Sequence, residues 1–522
     1  MQSIGTVGDV GRVDGGGGST ALEGLAQSLD RYGPRALEAS GTPGLNLAVA
    51  LDGEVWERGY GFADVRREIP MTPSVTARVG SISKLYTAIA ALRLVEMGRL
   101  TLDEPVSDVL GDVVEIRNPR GEREVTVMDL LTHRSGLALD TIEAVSGVPE
   151  PLPRAVRRIL REDRRREYHR DVSRWTARVG ERFQYSSLGM ALLGLVIERR
   201  TPRGESVGAF IASSVFEPLG LESTMFPTLG TSTHTAADRL SVGYARFGRL
   251  CVPSPSLTSS LYTSVGLITT PGDHVRVLDS LLRGEASGTP LLSAGTVEAM
   301  IAPRAYPPPK PAAGIWPGSP TALGLGVELT VDGGAVRSFG HLGAYPWGWW
   351  GAGVAFPGSS LAVAAFCNAW DMTRWHNPLE QSAPGLVLEY IRASVPPPAD
   401  GPRRGMVAGD DSWDAKQSYA AGLLLTERVR GLLGLEGRIH DGDLDRMASG
   451  SFYMPVRPAM LDAEAFKRGA MELNDATLTP EELRSRFRAR SSIVETRDLP
   501  LLSLEFGRRG HFPIALPAFA DS

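Results

Sequence analysis

A chain of 522 residues, 42% apolar and 22% charged, is globular and long enough for two or three domains. Its net charge of −5 excludes the basic footprint of a nucleic-acid or anionic-membrane binder, leaving a small molecule or short peptide as the expected partner. Two cysteines, Cys251 and Cys367, exclude a disulfide framework, and neither they nor the eight histidines show metal-ligand spacing, so no metal or cofactor is expected. There is no apolar run of membrane-spanning length, and the first residues lack the order of a signal peptide. A cytoplasmic location is therefore expected, or a periplasmic or secreted one if a signal peptide has been removed, and homo-oligomerisation is left open.

Residues 1–20 are glycine-rich, with Gly15 to Gly18 consecutive, and predict a flexible tail. "GLNLAVALDGEVWERGYG" follows, with Leu45, Leu47, Val49 and Leu51 alternating up to Asp52-Gly53 and a second extended segment beyond it. That pattern predicts a hairpin. From Ser81 the period changes to three and four, through Ile82, Leu85, Ile89, Leu92 and Val95, and Gly98 stands where a helix ends. A buried helix is predicted, with Ser81 at its N-terminus.

Residues 100 to about 235 read as helix and loop. Within them Arg154 to Trp175 interleaves arginines with Glu162, Asp163, Glu167 and Asp171, predicting a solvated helical face placed where a lid could lie. Strand-like sequence returns at Ser360 to Trp370, followed by a helix-like Pro378 to Ala393. A sheet made from both ends of the segment, with helices inserted between, implies an α/β domain with an all-α subdomain over 21–395. Residues 396–404 read as a proline-rich linker. Residues 405–522 read as a mostly helical C-terminal unit without a catalytic constellation, including a capping-box start at Thr479.

Only four lysines stand against 51 arginines, and one of the four is Lys84, three residues after Ser81. On a helix these side chains rise from one face a turn apart. A buried lysine can lose its proton and accept one from serine, whereas an arginine cannot. The helix N-terminus adds free N–H groups that favour an oxyanion. Taken alone, the pair also reads as an N-cap serine and an exposed first-turn lysine. "QYSSLGMALLG" sets Tyr185 and Ser187 before another apolar helix, and "SFGHLGAYPWGWWG" sets His341 and Gly343 on what reads as an edge strand. Each of these alone reads as an ordinary structural residue.

Together, S-I-S-K, Y-S-S and H-L-G, with "GRLTLDEPV", "VTVMDLLTHRSGL" and "SVGLITTPGDHVRVLDSLL" in order, make residues 35–395 resemble the serine β-lactamase and penicillin-binding superfamily. The closest likeness is to its class C-like branch of esterases and D-aminopeptidases. The resemblance implies a mixed fold with an antiparallel sheet flanked by helices. It also implies a nucleophile at Ser81, a base or relay at Lys84, and a second proton-transfer group at Tyr185. The N–H groups of Ser81 and Ala344 would form the oxyanion hole, and His341 would hold the tyrosine network or a substrate carboxylate. Which of Lys84 and Tyr185 takes the serine proton stays open.

Two departures bear on substrate. Ser187 stands where the family has asparagine, and His341 where dedicated β-lactamases have lysine; both point toward peptide amides or carboxylic esters. The alternatives are a β-lactamase, an acyltransferase or cyclase, and a penicillin-binding sensor that acylates without turnover. Tyr345, Trp347, Trp349 and Trp350 predict an aromatic wall, with about two of the four facing the site. The proline-rich Tyr306 to Pro320 predicts a rim loop.

Overall fold

The computed structural model describes residues 18–394, apart from 228–236, 307–320, 372–381 and several shorter internal stretches. The linker and C-terminal unit predicted beyond residue 395, most of the glycine-rich tail, the rim loop and Trp347 lie outside the described residues.

The centre of the fold is an eight-stranded antiparallel sheet built from β1 (Gly44–Leu51), β2 (Glu54–Asp64), β3 (Ile69–Pro70), β4 (Thr321–Leu323), β5 (Glu328–Asp332), β6 (Ala335–Tyr345), β7 (Trp349–Phe356) and β8 (Leu361–Cys367). Their spatial order is β4-β5-β6-β7-β8-β1-β2-β3, so the predicted union of both ends occurs where Leu45 pairs with Cys367 and Leu51 with Leu361. The predicted hairpin forms, with Asp52 at φ 51° and Gly53 at φ 91°. Positive φ at both central residues matches the twist of the flanking strands.

β1 is buried along its whole length because helices cover both sheet faces. Leu45, Leu47, Val49 and Leu51 pack with α1 (Gly18–Ser40) and α5 (Ala383–Ser394), whose Tyr32 and Tyr390 rings stack at 4.3 Å. The opposite face carries Ala48 and Ala50 and packs against α4 (Pro271–Arg283). The core continues there through α2 (Ser83–Glu96) and α3 (Ser187–Arg200), both buried over most of their lengths.

Several expectations are corrected. Gly18, Ser19 and Thr20, read from the sequence as part of the glycine-rich tail, belong to α1. The predicted C-terminal helix starts at Ala383, later than Pro378. The charged stretch is helical only over Leu152–Arg161, and Arg164–Glu167 and Arg170–Ser173 pair as antiparallel strands. Ala155, Val156 and Ile159 give the helix a buried face, and the apolar stripe then stops, because Arg161 to Glu167 are all charged. β6 is an interior strand and not an edge, although its pairing with β5 stops at Glu328 and Gly340.

Candidate active site

The predicted helix begins as a 3-10 turn over Gly80–Ile82 that continues into α2, so Ser81 stands just ahead of the α-helix. The Ser83 hydroxyl fixes this turn by donating to the Gly80 carbonyl at 2.5 Å and accepting from the Leu267 N–H at 3.0 Å. Lys84 Nζ lies 3.0 Å from Ser81 Oγ and 2.9 Å from the Ser264 carbonyl, with the lysine entirely buried. Desolvation disfavours the ammonium and brings its pKa down to about 7, against an opposing pull from the Glu328 carboxylate. Lys84 is therefore not an exposed first-turn residue: near neutral pH a large share carries a free amine beside the hydroxyl.

Tyr185 precedes α3, whose N-cap is Ser186. The Ser186 hydroxyl accepts from the Gly189 N–H and donates to the Ala138 carbonyl, and its N–H donates to His133 Nδ1 at 3.2 Å. These bonds hold the Tyr185 ring 4.5 Å from the His133 ring and 6.4 Å from that of His341, with Lys84 Nζ 4.9 Å from its centroid. The Tyr185 hydroxyl hydrogen-bonds Ser81. Burial and the Glu328 charge raise its pKa well above the ordinary phenol value, so it is neutral at physiological pH.

His341 is buried, and its Nδ1 bonds the Leu342 carbonyl. A carbonyl only accepts, so Nδ1 carries the proton and Nε2 keeps a lone pair. Burial and Lys84 lower its pKa to about 3, leaving a neutral imidazole.

The other wall of the site is the end of β6. A Cβ on Gly80, at φ 51°, would come 2.1 Å from the Ala344 carbonyl oxygen, and one on Gly343 would come 1.8 Å from that of Val79. Two glycines thus let two backbones meet, bringing Ala344 beside the turn that carries Ser81.

Ser81, Lys84, Tyr185, His341, Gly343 and Ala344 therefore converge. Tyr345, Trp349 and Trp350 do not take the places expected of an aromatic wall. Ser187 is fully buried in the first turn of α3, its hydroxyl without a partner. Tyr345 and Trp349 are turned into the core: they pack edge to face at 6.1 Å, the Arg78 guanidinium lies 5.2 Å from the Tyr345 ring, and Trp349 Nε1 donates to Ser241. Trp350 points to the other sheet face, against Trp370. The strand pleat explains this pattern, since Tyr345 and Trp349 are register partners on one buried face.

Two site residues escaped the sequence reading. His133 sits at φ 54° within "LLTHRSGL", and Glu328 is the first residue of β5, ahead of Leu329. Glu328 Oε2 accepts from the Leu342 N–H at 3.1 Å, Oε1 lies 4.0 Å from His341 Nδ1, and burial raises its carboxyl pKa to about 7. Neither lies in a spacing that identifies it. Among the described residues no group of three His, Cys, Asp or Glu side chains is placed to hold a metal, and no helix is long and apolar enough to cross a membrane.

A family model described as Beta-lactamase matches residues 29–379. Protein flp of Staphylococcus aureus (strain N315) is 29% identical over 232 residues, 44% of this chain and 43% of its own, so the chain spans under half the length of that curated relative. Among solved structures, D-amino acid amidase from Ochrobactrum anthropi SV3 complexed with L-phenylalanine is 25% identical at a TM-score of 0.54, over 70% of this chain and 99% of its own. EstCE1, a hydrolase with promiscuous acyltransferase activity, shares the fold at 20% identity and a TM-score of 0.57, over 72% and 99%. With its antiparallel sheet and helices, and a family match over more than half its length, the chain belongs to the beta-lactamase family, as its motifs led us to expect.

Proposed function

We propose that the protein is a serine hydrolase that cleaves carboxylic esters or peptide-type amides through an acyl-enzyme on Ser81. The observation that carries this reading is the fully buried Lys84 amine 3.0 Å from the Ser81 hydroxyl. In the free-amine form Lys84 takes the Ser81 proton as Oγ attacks the substrate carbonyl, and the oxyanion is received by the N–H groups of Ser81 and Ala344. Tyr185, a neutral phenol bonded to Ser81, passes a proton to the leaving alcohol or amine. Water then attacks the acyl carbon, gives its proton back through the same pair, and releases the acid and the Ser81 hydroxyl.

Substrate class follows from what the site lacks. A neutral His341 offers no fixed positive charge for the carboxylate of a β-lactam, and a buried Ser187 offers no reaching amide. Uncharged esters and amides fit better, in keeping with the D-amino acid amidase among the structural neighbours.

The test is turnover of p-nitrophenyl acetate, a D-amino acid p-nitroanilide and nitrocefin, with Ser81→Ala as control. Steady, Ser81-dependent turnover of ester or anilide with little of nitrocefin is expected. A single burst without turnover would replace the hydrolase with a non-turnover acylating protein. In the same assay Tyr185→Phe should lose at least about a hundredfold in kcat/KM, the scale of a positioned proton transfer. A loss under about threefold would remove the phenol from the chemistry.

A further inference from the structure

β5 pairs with β6 only as far as Glu328 and Gly340, and from His341 to Tyr345, among the described residues, β6 pairs with β7 alone. The Leu342 N–H therefore emerges where the ladder to β5 has ended, and the Glu328 side chain reaches forward to accept it at 3.1 Å. The second carboxylate oxygen faces the His341 ring at 4.0 Å. Two residues further along β6 stands Ala344, against the turn of Ser81.

We infer that Glu328 is a positioning residue for acylation: its carboxylate replaces the missing strand partner at Leu342 and sets, through space, how readily Lys84 gives up its proton. The inference rests on the reading of Ser81 as nucleophile and Lys84 as base. The titratable groups around the pair are Lys84 from α2, Tyr185 ahead of α3, His133 from the turn after residue 131, and His341 on β6. The two imidazoles are held neutral by burial, so Glu328 and Lys84 are left as the groups that exchange charge near neutrality. Both Lys84 and Tyr185 respond to the Glu328 carboxylate, which holds on to their protons. Glu328 and Lys84 titrate in the same range, so a proton on one alters the other.

The sign follows. An ionised Glu328 favours the Lys84 ammonium, and acylation requires the free amine. Removing the charge lets the free amine form at lower pH. Glu328→Gln keeps an oxygen for the Leu342 N–H and removes the charge. The acidic limb of kcat/KM for p-nitrophenyl acetate should then move about one pH unit lower, the effect of a single nearby charge, while Ser81→Ala remains silent.

An unmoved limb, with turnover still dependent on Ser81, would overturn the role of Glu328 and leave the nucleophile standing. Full turnover by Ser81→Ala would overturn both. Lysine-selective NMR of the wild-type protein gives a second reading that needs no Glu328 variant, because the chain has four lysines and Lys84→Arg identifies the signal. A Lys84 titration centred near pH 7 and broader than a one-proton curve is expected; a simple one-proton curve would end the proposal.

Discussion

Lys84→Arg is expected to lose acylation by about a thousandfold or more, within the range of about 10²–10⁴ that a positioned proton transfer contributes. The substitution keeps a cation of similar reach and leaves the family fold in place, so it isolates one property: the ability to be neutral. Lys84 has that ability because it is sealed among α2, Ser264 and the Tyr185 ring, where hydration no longer supports the ammonium. A guanidinium in the same place stays charged and cannot accept the Ser81 proton. Pre-steady-state release of p-nitrophenol reads the acylation step directly. A burst rate within about tenfold of wild type, in a variant that melts like wild type, would show that proton acceptance lies elsewhere.

Gly343→Ala should disable the site by geometry alone. Its methyl group would stand 1.8 Å from the Val79 carbonyl oxygen and 2.9 Å from an Ile82 side-chain carbon, and the first of these is backbone that cannot rotate away. Val79 is itself tied to the Leu267 carbonyl through its N–H, so β6 and the Ser81 turn must separate. A separation of about 1 Å costs on the order of a hundredfold in a reaction that relies on converging donors, and the strain should lower stability by about 1–3 kcal/mol. Burst amplitude and thermal melting measured together check this. Wild-type kcat/KM would mean that the Ala344 N–H is not an oxyanion donor.

The features legible in the sequence were those written in local spacing. The Asp52-Gly53 turn, the apolar period from Ile82 to Val95 and the three-residue step from Ser81 to Lys84 each place neighbours in space by short-range geometry alone. The sheet joining both ends followed from strand patterns separated by helical sequence. Features that depend on tertiary contact stayed hidden. Glu328 earns its role from where the β5 ladder stops, His133 from a ring tilted against a tyrosine 52 positions away, and Tyr345 from the face of a strand whose depth the alternation did not reveal. The helix predicted across Arg154 to Trp175 ended early because charge interleaving describes a solvated surface without specifying the backbone beneath it.

The central position of β1, hydrogen-bonded to β8 on one side and β2 on the other, has a consequence for protein synthesis. Ser81 is synthesised before the strand carrying Ala344 and the one that locks β1 in place, both of which begin more than 250 residues later. A nascent chain halted before Ala335 would hold Ser81 without the β6 backbone that stands beside it, and one halted before Leu361 would hold β1 without its β8 partner, so on the reading proposed above the site is complete only when the last strand closes the sheet.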